Sequence, residues 1–307
     1  MTINSKEKDS YVLITPARNE EKNIVKTIQA IVTQTILPLK WIIVNDNSTD
    51  QTEEIIKRAA NTYSFIKLLN ASEERTERSF GSKALAFRRG YEVVKNIQFD
   101  YIGNLDADVT MEPNYYNKII MEMLKNQRLG VASGVVWDKT SNGFIRTISS
   151  LNHAVGAVQF WRKECFEAIG GYRPVSVGGI DSIAELTARM KGWETRSFAD
   201  LPVYHHKPVD SAGGRTGMRI AYRAGQTEYH IGSHPLFAAL KAIRRWKQSP
   251  LFLSSIIRIA AYAKLWFKKT PRDAPAELVA FLKKEQMALI KNILLIRGSN
   301  YDRYRTR

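Results

Sequence analysis

Short apolar runs alternate with amphipathic stretches through the first hundred residues. "YVLIT" (11–15), "KWIIV" (40–44), "FIKLLNA" (65–71) and "FDYIGNLDADV" (99–109) are rich in β-formers and predict four strands. Between them, Ile24, Ile28, Ile31 and Val32 recur at helical spacing. "TDQTEEIIKRAANTY" reads as a second helix, capped by Ser48, Thr49 or Asp50, and "GSKALAFRRGYEVVKN" as a third. This β-α alternation predicts a mostly parallel sheet covered by helices. Ligands in such sheets bind at the carboxyl ends of the strands, and the polar clusters fall there, after strands one, two and four.

From about residue 130 the pattern changes. "GVASGVV" predicts another strand, and "AVGAVQFWRKECFEAIGGY" a strand or loop followed by a helix that ends at Gly170-Gly171. "GGIDSIAELTARMKGW" predicts a helix through Ile183, Leu186 and Met190, and "TRSFADLPVYHH" a further strand. Residues 217–297 are helix-rich and basic. The expected division is a catalytic domain over 1–210 and a basic helical region over 211–307.

Charge sharpens that division. Residues 1–200 hold 26 Lys and Arg against 24 Asp and Glu, whereas residues 201–307 hold 20 against 6. A basic C-terminal third on a near-neutral body predicts an anionic partner. "LFLSSIIRIAAYAKLWF" (251–267) is the most apolar helical stretch, but its 17 residues carry Arg258 and Lys264. That is short for a membrane span, and a charge near a span's centre is costly. It reads either as a helix lying in the plane of an anionic membrane surface or as one packed on the body. The polar start "MTINSKEKDS" predicts no signal peptide, and a single cysteine, Cys165, excludes an internal disulfide; both suit a cytoplasmic location.

The candidate chemistry lies in acids at strand ends. Asp106 and Asp108 are two residues apart, so at a strand end their side chains point the same way. Two hard oxygen ligands suit Mg2+ or Mn2+ holding a diphosphate. Asp46 ends a strand before a helix and suits hydrogen bonding to a base or ribose, and Glu20 would face the same crevice. Asp181 follows two glycines at a helix start and reads as an N-cap or as a general base. His205 and His206 follow a strand; they are structural, or an imidazole ligates Mn2+. Trp137, Trp161 and Trp193 are core residues or stack on sugar rings.

In this order the clusters resemble the family 2 glycosyltransferases, inverting enzymes with the GT-A fold. "VLITPARNEEKNIVKTIQAIVTQT" looks like their opening strand and helix, and "WIIVNDNSTDQTEEI" is similar to their nucleotide-binding strand and loop. "GSKALAFRRG" looks like their G-K-x-x-A-x-N-x-G helix, and "YIGNLDADV" matches their L-D-A-D-x signature. The likeness covers roughly residues 11–205. It implies an α/β fold of GT-A type, a mostly parallel nucleotide-binding sheet flanked by helices. Pro16, Glu20, Asp46 and Lys83 would line the nucleotide pocket. Asp106 would face the ribose, Asp108 the metal, Asp181 would be the base, and His205 or His206 would complete the metal site.

The implied partners are a nucleotide-sugar donor, uridine diphosphate first and guanosine diphosphate second, and an acceptor glycan or lipid-linked sugar. Mn2+ or Mg2+ would be the cofactor, and no nucleic acid is expected. Loops 72–82 and 209–217 would close over the donor, bringing Arg75, Arg78 and Arg215 towards the diphosphate or leaving them as solvated charge. Three departures stand out. Asn45 precedes Asp46 where Asp is common, Ile180 replaces the usual Glu before the base, and the acidic helix motif is shifted so that Glu185 is the reserve base. The rival readings are a sugar nucleotidyltransferase, against which the glycine-free acidic "TPARNEEKN" counts, and a basic nucleic-acid-binding protein, which gives no reason for the strand-end acids.

Overall fold

The computed structural model describes residues 9–71, 81–147, 150–207, 217–246 and 252–295. The chain divides into two compact units, Met1–Ser211 and Ala212–Arg307.

The first unit opens with strand β1 (Tyr11–Ala17), helix α1 (Ile24–Val32), β2 (Lys40–Asn45), α2 (Thr52–Thr62), β3 (Ile66–Asn70), α3 (Ser82–Val94) and β4 (Tyr101–Asn104). β5 (Val109–Met111), α4 (Tyr115–Lys125), β6 (Leu129–Thr140) and β7 (Gly143–Arg146) follow. β8 (Phe160–Arg162), α5 (Lys163–Ala168), α6 (Ile180–Met190) and β9 (Glu194–His205) complete it. The sheet order is β3-β2-β1-β4-β8-β6-β9-β5, with β7 paired to β6. β3, β2, β1 and β4 run parallel, as do β6 and β9; β8, β7 and β5 run antiparallel to their neighbours.

Both faces of the sheet are covered at β1, β2 and β4, which is why these strands read as apolar runs. Side chains alternate across a strand. Tyr11 and Leu13 of β1 therefore pack with Trp41 and Ile43 against α1 and α4 on one face. Val12 and Ile14 pack with Ile42 and Val44 against Phe87 of α3 on the other. Pro16 cannot donate to a ladder, and it falls where β1 still pairs with β2 but the pairing with β4 has ended.

Two expectations are corrected in detail. β4 ends at Asn104, so Asp106 and Asp108 lie in the loop before β5, and the alternation of strand side chains does not fix their directions. α6 is capped by the backbone of Gly179, whose φ of 90° is left-handed, and Asp181 lies inside the first turn rather than at the cap. Trp161 is fully buried, its indole N–H donating to the Tyr172 hydroxyl at 2.9 Å, so it is a core residue. Cys165 is buried as well, and burial pushes its thiol up to about 12.

The second unit is helical: α7 (Gly217–His230), α8 (Pro235–Arg244), α9 (Leu253–Phe267) and α10 (Ala276–Leu295). Among the described residues no helix is long and apolar enough to cross a membrane.

Candidate active site

The crevice is built from loops at the carboxyl ends of β1, β2 and β4 and from the end of β9. The β1–α1 and β2–α2 loops brace one another. Thr49 N–H donates to Asn19 Oδ1 at 2.8 Å, Glu20 N–H to Thr52 Oγ1 at 2.7 Å, and Asp46 N–H to the Ala17 carbonyl at 2.8 Å. Asn19 and Asn47 both take left-handed backbone, with φ of 54°. Asp50 is held below the usual carboxylate range: burial raises it, but the Thr52 hydroxyl and the amides of Thr52 and Glu21 outweigh that. This bracing brings Pro16, Glu20 and half-buried Asp46 to one edge, with Arg18 at 4.0 Å from Asp46.

The departure at Asn45 has a local cause. Its buried amide donates to Glu53 Oε2 at 3.0 Å and to Asn70 Oδ1 at 3.1 Å, while Asn70 donates to Glu53 Oε1 at 2.9 Å. A carboxylate at position 45 would face the Glu53 carboxylate. Asn45→Asp is expected to lower stability by about 1–3 kcal/mol at neutral pH. Part of that loss should return as acidification protonates the pair. Thermal melts at neutral and mildly acidic pH check this, and an unchanged melting temperature at neutral pH would contradict it.

The β4–β5 loop is fixed through its backbone. Leu105 N–H donates to the Ile14 carbonyl at 3.1 Å, Asp106 N–H to Ala157 at 2.8 Å, and Thr27 Oγ1 to the Ala107 carbonyl at 2.9 Å. The two acids are then neutralised differently. Lys83 Nζ lies 2.5 Å from Asp106 Oδ1. Burial and the nearby Asp108 push Asp106 up, and Lys83 pulls against them. Burial would lower Lys83, but Asp106 first, then Asp181 and Asp108, raise it. Three carboxylates therefore act on one ammonium.

Asp108 instead meets His205, whose Nε2 lies 3.3 Å from Asp108 Oδ2. His205 Nδ1 sits 2.9 Å from Asp138 Oδ1. The register explains this arrangement. Asp138 of β6 and Val109 of β5 are both cross-strand partners of His205. Burial lowers the His205 imidazole, but its hydrogen bonds to Asp108 and Asp138 dominate and push it up to about 10, so a cation ligated at Nε2 would have to displace the proton there. Asp138 is lowered in turn: burial raises it, while His205 and the Thr147 hydroxyl pull it down. His206, the next residue, is not brought to this pair. Its Nε2 lies 2.9 Å from Thr110 Oγ1, its ring stands edge-on to Phe144, and burial together with Lys26 and Lys139 lowers it.

The donor set suits a divalent cation, since a buried carboxylate oxygen and an imidazole nitrogen converge at Asp108 and His205. Among the described residues no group of three or more His, Cys, Asp or Glu side chains forms a complete cage. A hard cation with only one or two protein carboxylates fills its shell with substrate phosphates.

Asp181 and Glu185 share α6 but not their surroundings. Asp181 is half-buried, and a side-chain carbon added at Gly156 would come within 2.1 Å of its Oδ2. Glu185 is 1% exposed; it pairs with the His153 imidazole, and Arg189 lies 3.8 Å away. Two residues were not anticipated. Asp138 could have been noticed as an acid ending an apolar strand, as Asp46 does. Lys207, which pairs with Glu20 at 2.6 Å, carries no local signal beyond its place after the two histidines. Burial raises Glu20, and Asp108 adds to that against Lys207. Arg75, Arg78 and Arg215, with loops 72–80 and 209–216, lie outside the described residues.

A sheet with a parallel half and acids in the loops at the carboxyl ends of its strands fits the GT-A fold. The glycosyl transferase family 2 model matches residues 12–182, and the chain belongs to that family. It is 26% identical over 208 residues to the 4,4'-diaponeurosporenoate glycosyltransferase of Staphylococcus aureus, covering 60% of this chain and 52% of that one. The matched segments span between 15% and 52% of the curated relatives' own length. Among solved structures it is similar to the mannosyltransferase PcManGT of Pyrobaculum calidifontis in complex with GDP-Man and Mn2+. The TM-score is 0.53 and the identity 18%, over 94% of this chain and 81% of that one. It is also similar to GalNAc-T7 with UDP, GalNAc and Mn2+, at a TM-score of 0.58 and 12% identity over 95% of this chain and 58% of that one. These likenesses carry the fold. Membership in this family favours the glycosyltransferase reading over the nucleotidyltransferase and nucleic-acid readings.

Proposed function

We propose that this chain is a metal-assisted inverting glycosyltransferase that moves a sugar from a nucleoside diphosphate to an acceptor hydroxyl. The observation that carries the reading is the grouping of Asp106, Asp108 and Asp181 around Lys83, with His205 against Asp108. Pro16, Glu20 and Asp46 line the nucleotide edge, Asp46 towards the base, and Asp106 with Lys83 faces the ribose and diphosphate. Asp108 and His205 would hold the cation, which would supply Lewis-acid stabilisation of charge on the leaving diphosphate.

Asp181 accepts the acceptor's hydroxyl proton as that oxygen bonds to the anomeric carbon. The bond from that carbon to the diphosphate oxygen breaks in the same displacement, which inverts the centre. Burial of Glu185 against His153 supports Asp181 as the base. The Mn2+ complexes of both structural neighbours support divalent metal use, Mn2+ or Mg2+. Their nucleotides, GDP-Man in one and UDP in the other, support a UDP- or GDP-sugar donor. The acceptor is a glycan or lipid-linked sugar in cell-surface polysaccharide, glycolipid or glycan assembly, and the enzyme works peripherally on the inner face of the membrane.

Calorimetric titration of the full chain with UDP and with GDP, each with Mn2+ and with a chelator, tests the donor and metal assignments together. One nucleotide is expected to bind about tenfold or more tightly with the metal present. Absence of binding for both nucleotides under every metal condition would overturn the reading.

A further inference from the structure

In the second unit α10 buries Leu278, Val279, Leu282 and Ile290, but α8 and α9 pack the wrong way round for water-facing helices. On α9 the buried positions are Ser254, Ser255, Ala261 and Tyr262, while Ile256 is 61% and Phe267 83% exposed. Leu253, Ile256, Ile259 and Trp266 recur every three or four residues or their multiples, so they share one face. α8 repeats the pattern, burying Ala238 and Ala242 and exposing Leu236, Leu240 and Ile243. Close approach of small residues explains the inner faces. A side-chain carbon at Gly225 of α7 would meet the Arg258 carbonyl oxygen of α9 at 2.2 Å, and Ser255 Oγ donates to the Ala242 carbonyl at 2.7 Å. Helices that pack through Gly, Ala and Ser while turning Leu, Ile, Phe and Trp outwards resemble helices whose outer solvent is lipid. An exposed apolar surface of this extent marks an interaction site.

Charge decides the partner. From Tyr229 to Arg272 the chain has nine Lys and Arg and no Asp or Glu. At the end of α9, a cavity of about 530 Å3 is lined by Tyr229, Trp266, Lys269, Arg272 and Lys283. Three cations with two aromatic rings suit a lipid phosphate at the water–hydrocarbon boundary. A second copy of the chain would bring the same acid-free cationic segment against itself. A nucleic acid would gain nothing from the leucines and isoleucines. We propose that the α8–α9 face docks on an anionic lipid bilayer, its apolar side chains entering the head-group boundary and its cations meeting lipid phosphates.

Flotation of the full chain with vesicles of phosphatidylcholine alone, and of phosphatidylcholine with phosphatidylglycerol, tests this without reference to activity. Binding is expected to the anionic vesicles, weakening with salt, and to be at least tenfold weaker to the neutral ones. The Ile256→Ser, Phe267→Ser double variant should lose about a hundredfold in partitioning. Lys264→Glu with Lys268→Glu should lose at least tenfold at low salt. All four positions are exposed, so the melting temperatures should match wild type, which separates lost docking from lost folding. Failure of the folded wild type to float with anionic vesicles would overturn the proposal, as would equal binding to neutral vesicles. A dimer in solution that Ile256→Ser abolishes, without vesicle binding, would assign the face to a second copy instead.

Discussion

Asp181→Asn should lower kcat about a thousandfold and leave nucleotide affinity within about twofold, because a positioned general base contributes roughly 10²–10⁴ to the rate. Asparagine keeps the shape of the side chain and cannot take a proton. The position suits a base. Gly179 starts α6 in left-handed backbone, so Asp181 falls in the first turn, where the helix end favours its negative charge. Gly156 leaves room for the carboxylate where any side chain would collide with it, and Asn104 Nδ2 donates to the Gly156 carbonyl at 2.7 Å. The contrasting variant is Glu185→Gln. It removes one charge from a buried pair with His153, so its main cost should fall on stability. Initial rates, calorimetry and thermal melts on both variants separate the two effects. Full activity in Asp181→Asn with a collapse of kcat in Glu185→Gln would move the base to Glu185.

The parallel core was legible because strands buried on both faces announce themselves as apolar runs, as β1, β2 and β4 do. The acids at their ends were legible as motifs. Their side-chain directions were not, since β4 stops at Asn104 and the loop is fixed by backbone partners from Ile14 and Ala157. Which histidine meets Asp108 depends on strand register, which puts Asp138 beside His205 and Thr110 beside His206. The pairs Asp138–His205 and Glu20–Lys207 join residues 67 and 187 positions apart, and no local pattern carries such a pairing. In the second unit the apolar residues of α9 were plain. Which way they face was not, because periodicity gives a helix two faces without saying which is inside. The serines, the alanines and Gly225 decide that by how closely they let the backbones approach.

Asp108→Ala is expected to abolish the metal-dependent part of nucleotide binding and to lower kcat/KM by about a thousandfold or more, since Lewis-acid stabilisation of a leaving diphosphate supplies several kcal/mol. Asp106 is committed to Lys83 at 2.5 Å and so cannot substitute for it. The His205 imidazole lies 3.3 Å from Asp108, and Asp138 takes its Nδ1, which leaves Nε2 on the Asp108 side. An orienting carboxylate behind a ligating histidine typically governs 10–100-fold in metal affinity. Asp138→Asn should therefore weaken Mn2+ binding by about tenfold, read by calorimetry without substrate. Stability should respond differently. Asp108 pushes up both Asp106 and Glu20, so removing it relieves repulsion even as His205 loses a partner. The Asp108→Ala melting temperature should then stay near wild type in a chelator and lose only the upward shift that Mn2+ with nucleotide gives the wild type. If Asp108→Ala instead unfolded in the chelator while the folded fraction still bound nucleotide with Mn2+, the carboxylate would be a structural partner of His205, and the metal would have to be held elsewhere.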